Sequence, residues 1–205
     1  MQDVTVTSFN VKNLIGPDQE YYKFQTYTPE EYAWKADWMA DQLLALDADV
    51  VGFQEIFEES ALQAVIDETT QRADTLNDAA QPDKTKKYRK KSIFRRLESG
   101  GYHGASLAFA PNIADEGIPG ERRPGVAILS RLGFASAPEI IQDLPEPLVI
   151  PFTPLRGLEA DDAGQFTLKR LSRPILKVKI PMGGQVVTVF NCHLKSKLGE
   201  YIKPA

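Results

Sequence analysis

The feature that most constrains the fold is a pattern that occurs three times: an apolar, alternating run that turns polar at its C-terminal end. "VTVTSFN" reaches Asn10 on the parity of Val4 and Val6, "VVGFQE" reaches Glu55 on the parity of Val51 and Phe53, and "VVTVFNCH" reaches Asn191 and His193 on the parity of Val187 and Val189. A period of two places each set on one face of a strand. With the three polar ends gathered in one layer, an amide, a carboxylate, a second amide and an imidazole meet at one point.

Between these runs the chain alternates helix and strand signals. Residues 3–11 read as the first strand, and "IGPDQEYYKFQTYTPEE" as a loop that closes on Thr28-Pro29-Glu30-Glu31. Thr28 is an N-cap, Pro29 fits the first turn and Glu31 completes a capping box, so a helix starts there, with Tyr32, Ala36, Met39, Leu43 and Leu46 as its apolar stripe. A second helix is expected over residues 60–76 behind a Ser60 cap, and a short one near "SIFRRLES". Further strands are expected at "GASLAFA", "GVAILSR", "LKRLSRPILKVKI" and "QVVTVFNCHL". A strand, then helices, then mostly strands predicts mixed α/β layering with much antiparallel pairing. No repeat or linker divides the 205 residues, so they read as one domain carrying a charged loop insertion at about 75–120.

Composition narrows the functional classes. A net charge of −4 gives no global field for nucleic acid or anionic membrane, so a polyanion must be met locally. The run "DKTKKYRKK" is the local candidate, and a solvated loop is its plainer reading. One cysteine excludes a disulfide framework and a cysteine-rich metal knuckle. The opening "MQDVTVTSFN" has no signal-peptide pattern and no apolar run approaches a membrane span. A soluble protein without stable membrane insertion is expected, cytoplasmic in the first instance, or secreted behind a removed leader.

The polar ends suit a hard divalent cation. Mg²⁺, with Mn²⁺ as a substitute, takes oxygen ligands and is often held by one or two carboxylates, so Glu55 with the Asn10 side-chain oxygen is a candidate first shell. His193 is placed to donate to a phosphate oxygen, and Lys195, Lys197 and Arg123 to add charge beside it. Taken singly, Glu55 reads equally as a salt-bridged loop residue, Asn10 as a turn former and His193 as a satisfied strand-end histidine.

"SFNVKNL", "DADVVGFQEIF", "RRPGVAILSR" and "VTVFNCHLKSK", in this order, resemble the successive motifs of the endonuclease/exonuclease/phosphatase superfamily of DNase-I-like fold. The resemblance covers the chain apart from the insertion. It implies a four-layer α/β sandwich, two mixed sheets face to face with helices outside, of which this chain supplies about the N-terminal half. It also implies Glu55 and Asn10 at a metal, His193 on the scissile phosphate and Asn191 in support as the second catalytic residue. The superfamily's later "G-D-x-N" and "S-D-H" motifs, which supply the general base, do not follow His193: the only acidic side chain after it is Glu200, and the only other histidine, His103, sits in a loop-like "GGYHGA".

The resulting expectation is a Mg²⁺-dependent phosphodiester hydrolase, a nuclease first and a phosphoinositide phosphatase or sphingomyelinase-like enzyme second, inactive as this chain alone. A non-catalytic phosphate-binding or interaction module is the reading from another class. Expected partners are a nucleic acid or other phosphodiester, together with a dimer mate or a C-terminal half that covers an otherwise exposed sheet face.

Overall fold

The computed structural model describes residues 3–22, 25–79, 100–113, 123–151 and 165–194. Within them the elements run β1 (Val6–Leu14), α1 (Pro29–Leu46), β2 (Val50–Ile56), α2 (Glu59–Ala79), β3 (Ser106–Asn112), β4 (Arg123–Ser130), β5 (Glu139–Pro151), β6 (Gln165–Met182) and β7 (Gln185–Cys192). Two sheets result. The first has the order β1-β2-β4-β3, with β1 and β2 parallel and the other pairs antiparallel; the second, β5-β6-β7, is wholly antiparallel. The protein is therefore an α/β sandwich: a helix layer, a mixed sheet and a second sheet packed on its far side.

Alternation along β2 builds both cores. Val51 and Phe53 point to one side, where they meet Met39 and Leu43 of α1 and Leu62 and Val65 of α2. Val50 points to the other, joining Ala110, Val126 and Ile128 against Leu176, Val178 and Ile180 of β6. All are essentially dry, and each such side chain contributes about 1.5–3 kcal/mol relative to exposure. A strand buried on both faces reads as a continuous apolar run, as "VVGF" does. Gly125 is obligatory in this layer, because a Cβ there would lie 2.2 Å from the Ala110 carbonyl oxygen.

Most elements lie where the sequence places them. The Thr28 hydroxyl accepts from the Glu31 N–H at 3.2 Å and the Glu31 carboxylate accepts from the Thr28 N–H at 2.9 Å, closing the capping box. Three expectations are corrected. Ser60 lies inside α2, which begins at Glu59 and runs to Ala79. Leu46 is 39% exposed and leaves the apolar stripe at the helix end. β5 was missed, since Pro145 and Pro147 demote "EIIQDLPEPLVIP" as a strand; it tolerates them as an edge strand whose register shifts twice across that stretch.

Of the insertion at 75–120, residues 75–79 are helix and 106–112 are strand β3, while the basic run and the helix expected near "SIFRRLES" fall outside the described residues. Among the described residues no helix is long and apolar enough to cross a membrane. β1 and β7 are both sheet edges, and Val6, Val186 and Phe190 on them are more than half exposed.

Candidate functional site

The parallel register of β1 and β2 is regular through Asn10, opposite Gln54, and resumes only at Leu14, opposite Ile56. Four steps on β1 thus face two on β2. On the other side of β2, Gln54 faces Val126 and Ile56 faces Gly125, so two steps face one. Both strands are bulged at their C-terminal ends, and the extra residues adopt left-handed backbone: Lys12 at φ 52°, Asn13 at φ 63° and Glu55 at φ 69°. Such conformations cost a non-glycine residue on the order of 1–2 kcal/mol and persist only where the surroundings enforce them.

The bulge decides where Glu55 points. Its parity with Val51 and Phe53 assigns it to the helix face, and the sequence expectation that this face leads to the site is wrong as stated. The extra residue turns the carboxylate out of that face. It meets Asn10, which lies on the inter-sheet parity of β1, and the Asn10 Nδ2 donates to Glu55 Oε1 at 3.0 Å. The Asn10 Oδ1 accepts from the Lys12 N–H at 2.9 Å, so the β1 bulge locks the amide.

His193, just beyond β7, completes the group from the second sheet, with Nε2 3.5 Å from Glu55 Oε1. Arg173 of β6 donates to the carbonyls of His193 at 3.3 Å and Leu194 at 2.9 Å, fixing the segment that carries the imidazole. Burial, and then the Arg173 charge, push the imidazole below its usual pKa against the opposing pull of Glu55. It is therefore neutral at pH 7. Its Nδ1 is buried without a partner, so the favoured tautomer keeps the proton on Nε2, facing the carboxylate.

Asn191 stands behind this group and is fully engaged. Its Nδ2 donates to the carbonyls of Phe53 and Ala127, both at 2.8 Å, and its Oδ1 accepts from Gln54 Nε2 at 2.8 Å. It thereby crosses from β7 to β2 and β4 and pins the two sheets together immediately before Glu55. Gly52 makes the room, since a Cβ there would lie 3.3 Å from the Asn191 Cγ. Its side-chain hydrogen bonds are thus spent on the protein.

Sequence reasoning missed the groups that surround this centre. The half-buried Lys35 of α1 donates to the Lys12 carbonyl at 2.6 Å and to the Tyr27 hydroxyl at 3.3 Å. Burial and the nearby Lys12 charge lower its pKa, with Glu55 pulling the other way. Lys35 sits one position before the stripe residue Ala36, and Arg173 is spaced like any strand cation, so neither carries a sequence signal. Of the predicted phosphate contacts, Arg123 opens β4 at this end of the sheet, opposite Asn112 and two strands from β1. Lys195 and Lys197 lie outside the described residues. His103 is an exposed turn residue paired with Asp74 at 2.8 Å.

Both contacts of Glu55 fall on Oε1, which leaves Oε2 without a hydrogen bond among the described residues. With one remaining lone pair on Asn10 Oδ1, the site offers two hard oxygens, a set that suits a small cation that keeps several waters. A closed protein cage is not on offer: among the described residues no three His, Cys, Asp or Glu side chains converge on one point.

No protein-family model matches the chain, and no curated protein matches it. Among solved structures the chain is similar to an endonuclease/exonuclease/phosphatase family protein from Leptotrichia buccalis C-1013-b, at 15% identity and a TM-score of 0.47, over 94% of this chain and 54% of that one. The chain thus spans about half the length of that protein.

Proposed function

We propose that the chain carries the metal- and phosphate-binding part of a Mg²⁺-dependent phosphodiester hydrolase that acts on nucleic acid. The observation that carries this reading is the meeting of Asn10, Glu55 and His193 from three strands of two sheets around a single carboxylate oxygen. In this reading Glu55 and Asn10 hold Mg²⁺ or Mn²⁺, which when bound neutralises phosphate charge as water attacks phosphorus. The neutral His193 would turn its Nε2–H from Glu55 Oε1 to a non-bridging phosphate oxygen as a hydrogen-bond donor, a role that needs a donor and not a charge. Arg173, Lys12 and Lys35 set a positive rim in a protein that is acidic overall. Lys195 and Lys197 follow His193 in the sequence and are proposed as further phosphate contacts.

Asn191 does no chemistry in this scheme. It fixes the sheet-to-sheet spacing that sets the reach of His193 to Glu55. Hydrolysis also needs a group that takes the proton of the attacking water. Among the described residues Glu55 and His193 are both committed, so the chain is expected to bind metal and phosphodiester and to turn over only when a base is supplied by further polypeptide. The exposed edges of β1 and β7 are where that polypeptide, or a second copy of the chain, would dock.

The test is a panel of single-stranded DNA, RNA, a phosphoinositide and sphingomyelin, assayed for binding and cleavage with Mg²⁺ and with EDTA, for the wild type and Glu55→Gln. Metal-dependent binding of nucleic acid that weakens at least tenfold in the variant supports the proposal. Preference for the inositide or sphingomyelin would move the substrate class, and phosphate binding indifferent to both metal and Glu55 would leave a non-catalytic module.

A further inference from the structure

The described residues between β1 and α1 are laced by backbone hydrogen bonds. Asp18 N–H donates to the Tyr27 carbonyl at 2.9 Å, and Tyr21 and Gln25 exchange backbone hydrogen bonds at 2.8 and 3.1 Å. These rungs draw the loop into a narrow ladder that carries its tyrosines onto Phe57, two residues past Glu55. Tyr21 is buried and stacks on Tyr27 with ring centroids 5.4 Å apart and planes at 27°. Tyr22 stands edge-on to Phe57, centroids 5.6 Å apart at 83°. Phe57 in turn donates its N–H to the Leu14 carbonyl at 2.8 Å, and the Tyr27 hydroxyl donates to the Lys12 carbonyl at 3.4 Å. The aromatic cluster is therefore braced on both bulges that aim the site.

Tyr22 differs from its neighbours. Tyr21 and Tyr27 are packed, whereas Tyr22 is 48% exposed and sits at φ 47°, a backbone region that a bulky residue seldom adopts. Its ring meets Tyr21 and Phe57 at steep angles, 60° and 83°, and about half of the residue remains open to solvent. Its contact with Phe57, two residues past Glu55, sets the ring at the same end of β2 as the site; burial first and then the Glu55 carboxylate raise the pKa of its hydroxyl, against the lowering effect of Arg173.

A supported, exposed ring beside a phosphate-binding group is the arrangement by which proteins hold an unpaired base: the phosphate is met by charge and the adjacent base by a π face. A base inside a duplex is already stacked and cannot present its face. An inositol headgroup has no aromatic face to offer; a choline cation can sit on a tyrosine ring, so displacement of the single strand by phosphocholine at equal concentration would count against a base-stacking site. Resting on the phosphodiesterase reading above, we propose that Tyr22 is a base-stacking subsite next to the Glu55 centre, and that the substrate is single-stranded or unpaired nucleic acid.

The experiment measures equilibrium binding by fluorescence anisotropy to three equal-length probes: a single-stranded oligonucleotide, an all-abasic oligomer with the same phosphates, and a duplex. For the wild type, single strand should bind more tightly than either of the others. Tyr22→Ala should weaken single-strand binding roughly five- to hundredfold, the range for one base–aromatic stack, and leave the abasic probe unchanged. Tyr22→Phe should retain wild-type preference, which separates the ring from the hydroxyl. Equal weakening on the base-bearing and abasic probes, no change on either, or no wild-type preference for single strand would each overturn the proposal. Glu55→Gln in the same assay reports on the underlying reading separately: phosphate binding indifferent to it would remove the phosphodiesterase reading while the Tyr22 contrast still stands or falls on its own.

Discussion

The two faces of β2 are built by opposite rules. Toward the helices, Val51 and Phe53 are apolar, dry and in strict alternation. Toward the second sheet, Val50 gives way to Gly52 and Gln54, and the space is filled by a hydrogen-bonded amide pair, Gln54 and Asn191. The first face holds the strand in place without telling any residue beyond it where to point. The second fixes a distance and a direction, because amide hydrogen bonds, unlike apolar contacts, are lost when geometry slips. Stability and aim are thus divided between the two sides of one strand.

Substitutions on the two faces should separate these contributions. Phe53→Ala empties the largest fully buried side chain of the helix-side core and should cost about 3–5 kcal/mol in denaturant unfolding. Asn191→Ala removes the side-chain donor from the Phe53 and Ala127 carbonyls, while the Gln54 amide keeps its bond to the Gly52 carbonyl, and should cost about 2–6 kcal/mol, at one to three for each of the two carbonyls. It should also shift the His193 ring resonances, because it releases the tie that spaces the sheets. A loss from Asn191→Ala below about 0.5 kcal/mol would show that the amide pair is not the tie described here.

Gly52→Ala probes the same seam more gently. Its methyl would press on the Asn191 side chain at 3.3 Å, and overpacking of that kind costs about 1–3 kcal/mol. The smallest effect concerns pH. His193 has its folded pKa below the unfolded value near 6.5, so the unfolded chain takes up a proton first as pH falls. The His193 contribution should be constant above that pH, decline as pH drops from there toward the lower folded pKa, and be constant again below both. His193→Gln should remove that decline from the unfolding midpoint measured across pH.

Much of this was legible in the sequence, for reasons that differ by residue. The Thr28 capping box is local chemistry, and it formed as the sequence predicts. Three runs that turn polar at the same end pointed to a meeting of the ends of β1, β2 and β7, but the single layer expected for them is corrected: β7 belongs to the second sheet, because it pairs with β6 and not with β1 or β2. The aim of Glu55 did not, since alternation assigns it to the wrong face and only a bulge, set by how many residues β1 and β4 place opposite it, corrects the direction. Arg173 and Lys35 were invisible because their role depends on which strand and helix pack beside the site. β5 was hidden by Pro145 and Pro147, which an edge strand tolerates and a central strand does not.

In the proposed function Glu55, Asn10 and His193 form one cation- and phosphate-binding centre. Mn²⁺ titration followed by NMR tests it most directly, because the paramagnetic ion broadens only nearby protons. The Asn10 side-chain amide and the His193 ring should broaden first and together, while His103 and the buried Asn112 amide stay sharp, and Glu55→Gln should abolish the selectivity. Broadening centred on His103 and Asp74, or unchanged broadening at Asn10 and His193 in Glu55→Gln, would contradict it.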